Sequence, residues 1–161
     1  MKKISVILFL LAAVMMLSCA STGGGRSGKA NRTLIKASVD KISKDLINQL
    51  PENSTLAVIE VLSDSQDTSL YIVDEIEFKL INARKFNMVE KKRLDAIIAE
   101  QNYQKMSGQV DDFSAVSIGK MTGATIVIVG EITKLGPTQR LSIRALDVKT
   151  GQILIVSRES F

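Results

Sequence analysis

The chain has 161 residues, with 21 Lys and Arg against 17 Asp and Glu, no histidine, one cysteine and no tryptophan. Without histidine there are no imidazole bases or imidazole metal ligands. A single cysteine excludes an intramolecular disulfide and leaves zinc and thiol chemistry without its usual ligands. The formal net charge of +4 is too small for a nucleic-acid footprint.

The first eighteen residues have the three parts of an export signal. Lys2 and Lys3 supply the positive end, and residues 4–17 form an uncharged run broken only by Ser5. That run is short beside the about 20 apolar residues of a membrane-spanning helix. Met16-Leu17-Ser18-Cys19 occupies the place of a lipobox. It is a relaxed one, with bulky Leu17 where a small residue is usual and Ser18 where Gly or Ala is usual. Lipidation accounts for the lone cysteine, so Cys19 is expected to carry the acyl anchor. Ala20 follows it, where an Asp would argue for retention in the inner membrane. The sorting rule for lipoproteins therefore favours the outer membrane, with the domain facing the periplasm. Processing removes Lys2 and Lys3, leaving 19 basic against 17 acidic side chains, or +2, on 143 residues. That length suits one compact domain on a tether.

The expected division is a signal peptide over 1–18, a lipidated flexible tether over 19–30, and a globular domain over 31–161. Residues 21–29 are rich in Ser, Thr and Gly and read as linker. Some ten residues of tether reach at most roughly 35 Å when extended. Gly23, Gly28 and Lys29 have phosphate-loop spacing. However, Ala30 stands where the loop needs Ser or Thr, and no strand precedes the glycines.

Ile35, Val39, Ile42, Leu46 and Ile47 recur at helical spacing and predict a helix over 31–50, ended by Pro51. Residues 55–61 read as a buried strand. A second helix follows over 70–83, with Ile72, Val73, Ile76, Phe78, Leu80 and Ile81 expected on its apolar side. Residues 86–90 form a short strand, and 91–101 a helix carrying Leu94, Ile97 and Ile98. Asp112 is a candidate cap for a short helix through Met121 that Gly123 closes. The last third is different, because 125–132, 141–148 and 152–157 are rich in Val, Ile and Leu. Gly136-Pro137 and Thr150-Gly151 mark turns between them, which makes an antiparallel meander. The expected fold is therefore α/β, with helices flanking a central mixed sheet of about five strands.

Few residues invite chemistry. Asp111 and Asp112 are adjacent, so their side chains diverge on a regular element, and a cap explains Asp112 without catalysis. Asp74, Glu75 and Glu77 are expected on the solvent side of the second helix. Lys91, Lys92 and Arg93 open an exposed helix and form the candidate partner-binding patch. Basic charge at a helix N-terminus opposes the macrodipole at a cost of a few tenths of a kcal/mol, a mild hint of use. No cofactor and no metal are expected, and the chain does not read as an enzyme.

The order of segments carries a resemblance. Leu56-Ala-Val-Ile-Glu-Val61 is followed by a helix and then by Phe86-Asn-Met-Val-Glu90-Lys-Lys-Arg93-Leu94-Asp95. Next come Ser107-Gly108, Ile118-Gly119-Lys120 with Gly123-Ala124, Ile126 to Ile132 containing Gly130, and Leu146-Asp147-Val148 with Thr150-Gly151. This resembles the CsgG-like superfamily, which also holds LpoB-type activators of penicillin-binding proteins. The resemblance covers about 55–157. It implies a fold related to the amino-terminal domain of TolB, no catalytic residue, and an envelope protein, such as a penicillin-binding protein, as partner. It leaves oligomerisation open. An alternative is a structural accessory of a curli-type or flagellar surface machine. Pore-forming members carry long amphipathic hairpins, each strand needing about 9–11 alternating residues. The connection after Gly130 is short and turns at Gly136-Pro137, and the chain ends at Phe161, so a secretion channel is not expected. Gly130, inside a strand pattern, implies a bulge or a close backbone approach.

Overall fold

The computed structural model describes residues 25–104 and 111–161, with side chains described for 32–100 and 111–161. The chain divides into two compact units, Met1–Arg32 and Thr33–Phe161, and the architecture below is that of the second. The expected signal peptide, Cys19, Gly23 and Gly108 fall outside the described residues. Helices and strands alternate in the order α1 (Gly25–Gln49), β1 (Thr55–Leu62), α2 (Gln66–Asn82), β2 (Asn87–Met88), α3 (Lys91–Gln104), α4 (Asp112–Thr122), β3 (Ile126–Leu135), β4 (Thr138–Asp147) and β5 (Ile153–Ser160). No described helix is long and apolar enough to cross a membrane.

The five strands form one mixed sheet in the order β2-β1-β3-β4-β5. β1 pairs parallel with both β2 and β3, whereas β3-β4 and β4-β5 are antiparallel. The sheet separates two apolar layers. On one face Ile35, Val39, Ile42 and Leu46 of α1, Leu50 just after it, and Ile72, Val73, Ile76 and Leu80 of α2 pack on Val58, Ile128, Ile143 and Ile155. On the other, Leu94 of α3 and Ala115 and Ile118 of α4 meet Ala57, Ile59, Val127, Val129 and Leu146. This explains the continuous apolar run of β1, since a parallel strand covered on both faces has no solvent side. The α/β expectation with a five-stranded mixed sheet and a C-terminal meander holds. β3 and β4 are joined by Gly136-Pro137 alone, and Gly136 has φ 62°. A two-residue hairpin loop favours glycine first in such a turn, and it leaves no room for inserted membrane strands.

Several boundaries differ from the expectation for physical reasons. α1 starts at Gly25, inside the segment expected as tether, where Arg26, Lys29 and Ala30 are good helix formers and no proline intervenes. The strand expected over 86–90 shrinks to Asn87–Met88, because it sits at the sheet edge and the next helix begins at Lys91. On α2, Phe78 is 64% and Ile81 55% exposed, so neither lies on the buried side. At about 100° per residue, Phe78 points about 200° away from Ile76. Four buried residues already fill the stripe that the sheet accepts.

The cap of α4 also moves by one residue. Asp111, not Asp112, is the N-cap; its carboxylate accepts the Ser114 backbone N–H at 2.7 Å and the Ser114 hydroxyl. Gly123 closes the helix with φ 78°. Asp111→Ala is expected to lower stability by about 1 kcal/mol, whereas Asp111→Asn should lose much less. Urea midpoints of the two variants would check the order.

The β4-β5 turn is held by a side chain as well as by Gly151. The Asp147 carboxylate accepts the Thr150 backbone N–H at 2.7 Å and its hydroxyl at 2.9 Å. The Thr150 backbone bond first, then its hydroxyl, hold the Asp147 carboxyl below its ordinary value of 3.8. A carboxyl depressed by folding contributes stability above its unfolded pKa and loses it as pH falls through the folded one. The domain should therefore weaken below about pH 4, and Asp147→Asn should flatten that acid limb. Urea midpoints across the acid range give the readout, and an unchanged limb would count against this contribution.

Candidate partner-binding surface

Lys91, Lys92 and Arg93 open α3 and are all exposed. The three side chains do not act as one patch. Lys91 lies 4.0 Å from Asp95 one turn along the helix. Arg93 donates to the Met121 carbonyl at 3.4 Å, placing a cation at the C-terminal end of α4, where the macrodipole favours it. Arg93 therefore has a structural use, and Lys92 is exposed between the two. Beside them Glu77, expected on the solvent side of α2, is half-buried. Desolvation raises its carboxyl above the usual range, and Lys91 counters that in part. Asp74 is exposed, while Glu75 faces Lys36 at 3.7 Å.

A second surface arises from the unequal cover of the sheet. α1 spans the meander on one side, where Asp45 accepts the Ser157 hydroxyl at 2.6 Å and Lys41 pairs with Glu159 at 2.9 Å. On the opposite side α3 and α4 cover β1 and β3, while β4 and β5 lie beyond them. Side chains alternate along a strand. With Leu141, Ile143 and Ala145 in the α1-side core, Arg140, Ser142 and Arg144 must face the other way. The register sets Arg144 opposite Val156, and Ser142 opposite Arg158. Arg158 is thus diagonal to both other arginines, within about 8 Å between strands. Arg144 pairs with Asp112 at 3.1 Å and Arg158 donates to the Ser142 hydroxyl at 3.4 Å. Among the described residues, neither Arg140 nor Arg158 has a carboxylate within 4.0 Å. Glu131, opposite Ser142 on β3, and Glu60 of β1, in the row of Val129 and Arg144, are acids on the same face.

Apolar groups rim the arginines. Phe113, in the first turn of α4, is 84% exposed, and Leu154 and Val156 of β5 are 44% exposed. The pattern Arg140-Leu-Ser-Ile-Arg144 signals alternate polar and apolar faces in the sequence, but not which face stays uncovered. Among the described residues no group of three or more acidic, His or Cys side chains is placed to hold a metal.

No curated protein matches the chain. The family model described as peptidoglycan-synthase activator LpoB matches residues 29–156. Among solved structures, the LpoB C-terminal domain from Escherichia coli aligns with a TM-score of 0.64 at 15% identity, covering 79% of this chain and 97% of that one. The corresponding domain from Salmonella enterica gives 0.59 at 17% identity, covering 80% and 96%. Lipoprotein GNA1162 from Neisseria meningitidis gives 0.50 at 17% identity, covering 67% and 79%. At such identities the structures show a shared fold, while the family match spans nearly all of the folded domain. The chain belongs to the LpoB family of peptidoglycan-synthase activators.

Proposed function

We propose that this chain is a non-enzymatic lipoprotein, anchored through Cys19 to the outer membrane and facing the periplasm, that binds and activates a penicillin-binding protein. The family match over 29–156 carries the reading. The lipobox-like Met16-Leu17-Ser18-Cys19 and the Ala20 that follows it support the anchor. An anchor of this kind confines the domain near the membrane and raises its effective concentration at a partner held within reach. With α1 starting at Gly25, the residues from Cys19 to the helix reach at most roughly 20 Å, so the partner must supply most of the distance to the inner membrane. The charge of +2 after processing and the absence of tryptophan give no platform for nucleic acid or stacked sugars.

Crosslinking in cells from the full lipoprotein, followed by identification of the captured chain, tests the proposal. Recovery of a penicillin-binding protein, together with faster glycan polymerisation or crosslinking by that purified synthase when the lipoprotein is added, is the expected result. Recovery of closed rings of this chain or of flagellar or curli components, with no effect on a synthase, would replace it with an accessory role in a surface machine. Processing has its own check: blocking the lipoprotein signal peptidase should leave the precursor uncut.

A further inference from the structure

We propose that the arginine-bearing face of β4-β5, over which no described helix lies beyond the N-terminal end of α4, is a docking shelf for an acidic, extended segment of a protein partner, which adds as a strand beside β5. Three observations carry it. First, β5 is the last strand of the sheet, and its eight residues offer a row of backbone groups with no strand beyond them among those described. Natural edges of that length are usually shortened, covered or blunted; β1's other neighbour, β2, is only two residues long. An added strand is the partner that satisfies such an edge.

Second, three guanidinium groups cluster on adjacent strands, and like charges at such spacing oppose each other. Asp112 answers Arg144, whereas Arg140 and Arg158 have no carboxylate within 4.0 Å among the described residues. The planar forks of Arg140 and Arg158 remain available to carboxylates, which they bind in a bidentate way. The shelf therefore selects for acid side chains on every second residue of the incoming strand. Third, Phe113 follows Asp112, the partner of Arg144, and has most of its ring in water. An exposed aromatic beside arginines has the composition of the few residues that dominate binding energy. A lipid headgroup would match the cations but not the strand edge, so a polypeptide fits the surface better than a membrane does.

The segment proposed here need not come from the synthase, but where it does, the inference rests on the function proposed above. The experiment separates the two. The mature full-length lipoprotein, isotope-labelled, is titrated with a synthetic twelve-residue peptide of alternating Glu and Val, and with a Lys-Val peptide as control. Expected are amide shifts centred on 153–160 with the acidic peptide alone, and a loss of affinity of tenfold or more in R140E/R158E. F113A should weaken binding several-fold without loss of fold, since the ring is almost fully exposed. Shifts centred on 91–93, shifts with no site, or equal binding of both peptides would overturn the shelf, as would shifts over 153–160 with anionic phospholipid vesicles that zwitterionic vesicles and the acidic peptide do not give. In parallel, R140E/R158E and K91E/K92E are compared for binding the purified penicillin-binding protein. If wild type binds and R140E/R158E binds equally, the synthase is not the partner of the shelf, the function stands, and the peptide titration decides the shelf. If wild type fails to bind, the function falls and the titration decides the shelf alone.

Discussion

Leu46→Ala is expected to lower the stability of the domain by roughly 3–4 kcal/mol, the cost of a buried leucine whose space does not collapse. Leu46 is fully buried in the layer that holds α1 to the sheet. Its loss removes both the transfer energy of the side chain and the contacts of everything facing the cavity. α1 also supplies Asp45 and Lys41 to β5, so a loosened helix should release the meander as well. Leu34→Ala, on the same helix but half exposed, should change stability by less than about 0.5 kcal/mol. Urea unfolding at constant slope measures both. Equal losses would mean that α1 is not a packed layer.

Gly130→Ala should cost about 2–3 kcal/mol through overpacking. A Cβ at that position would stand 2.2 Å from Ile143 Cδ1, 2.9 Å from the Ser142 carbonyl oxygen and 3.3 Å from Val61 Cγ2. The isoleucine end can rotate, but the carbonyl belongs to the β3-β4 ladder and cannot move without loss of hydrogen bonds. The close-approach reading of Gly130 is thus correct, and the bulges lie elsewhere, at Val58/Glu60 and Ala145/Leu146. Ile143→Val, which deletes the nearest atom, should recover part of the loss when combined with Gly130→Ala. A double-mutant cycle reads that coupling, and simple additivity would refute the clash.

What could be read from the residues was whatever depends on local pattern. Helical spacing located α1 and α2, the Val, Ile and Leu runs located β1 and the meander, and Gly136-Pro137 and Thr150-Gly151 located its turns. What depends on a neighbour across space was not legible. Nothing in the run around α2 says that the sheet accepts only Ile72, Val73, Ile76 and Leu80 and leaves Phe78 in water. Asp111 and Asp112 are adjacent, and only the structure shows Asp111 accepting the Ser114 backbone N–H as the cap while Asp112 pairs with Arg144. The charge run at Lys91 drew attention because its members are contiguous. Arg140, Arg144 and Arg158 are scattered in sequence and become a cluster only when β4 and β5 pair.

The meander also has a kinetic consequence. β3, β4 and β5 are joined by loops short enough to close within microseconds, whereas the β1-β3 ladder begins at Thr55 and Thr125, 70 residues apart. Loop-closure entropy for that joint must be met before its contacts give anything back. Insertion of β1 between β2 and β3 is therefore the expected slow step of folding. Val58→Ala should then slow refolding in stopped-flow measurements, while Ile155→Ala should mainly speed unfolding. The ribbon expected to assemble early thus includes β4 and β5, the two strands that carry Arg140, Arg144 and Arg158.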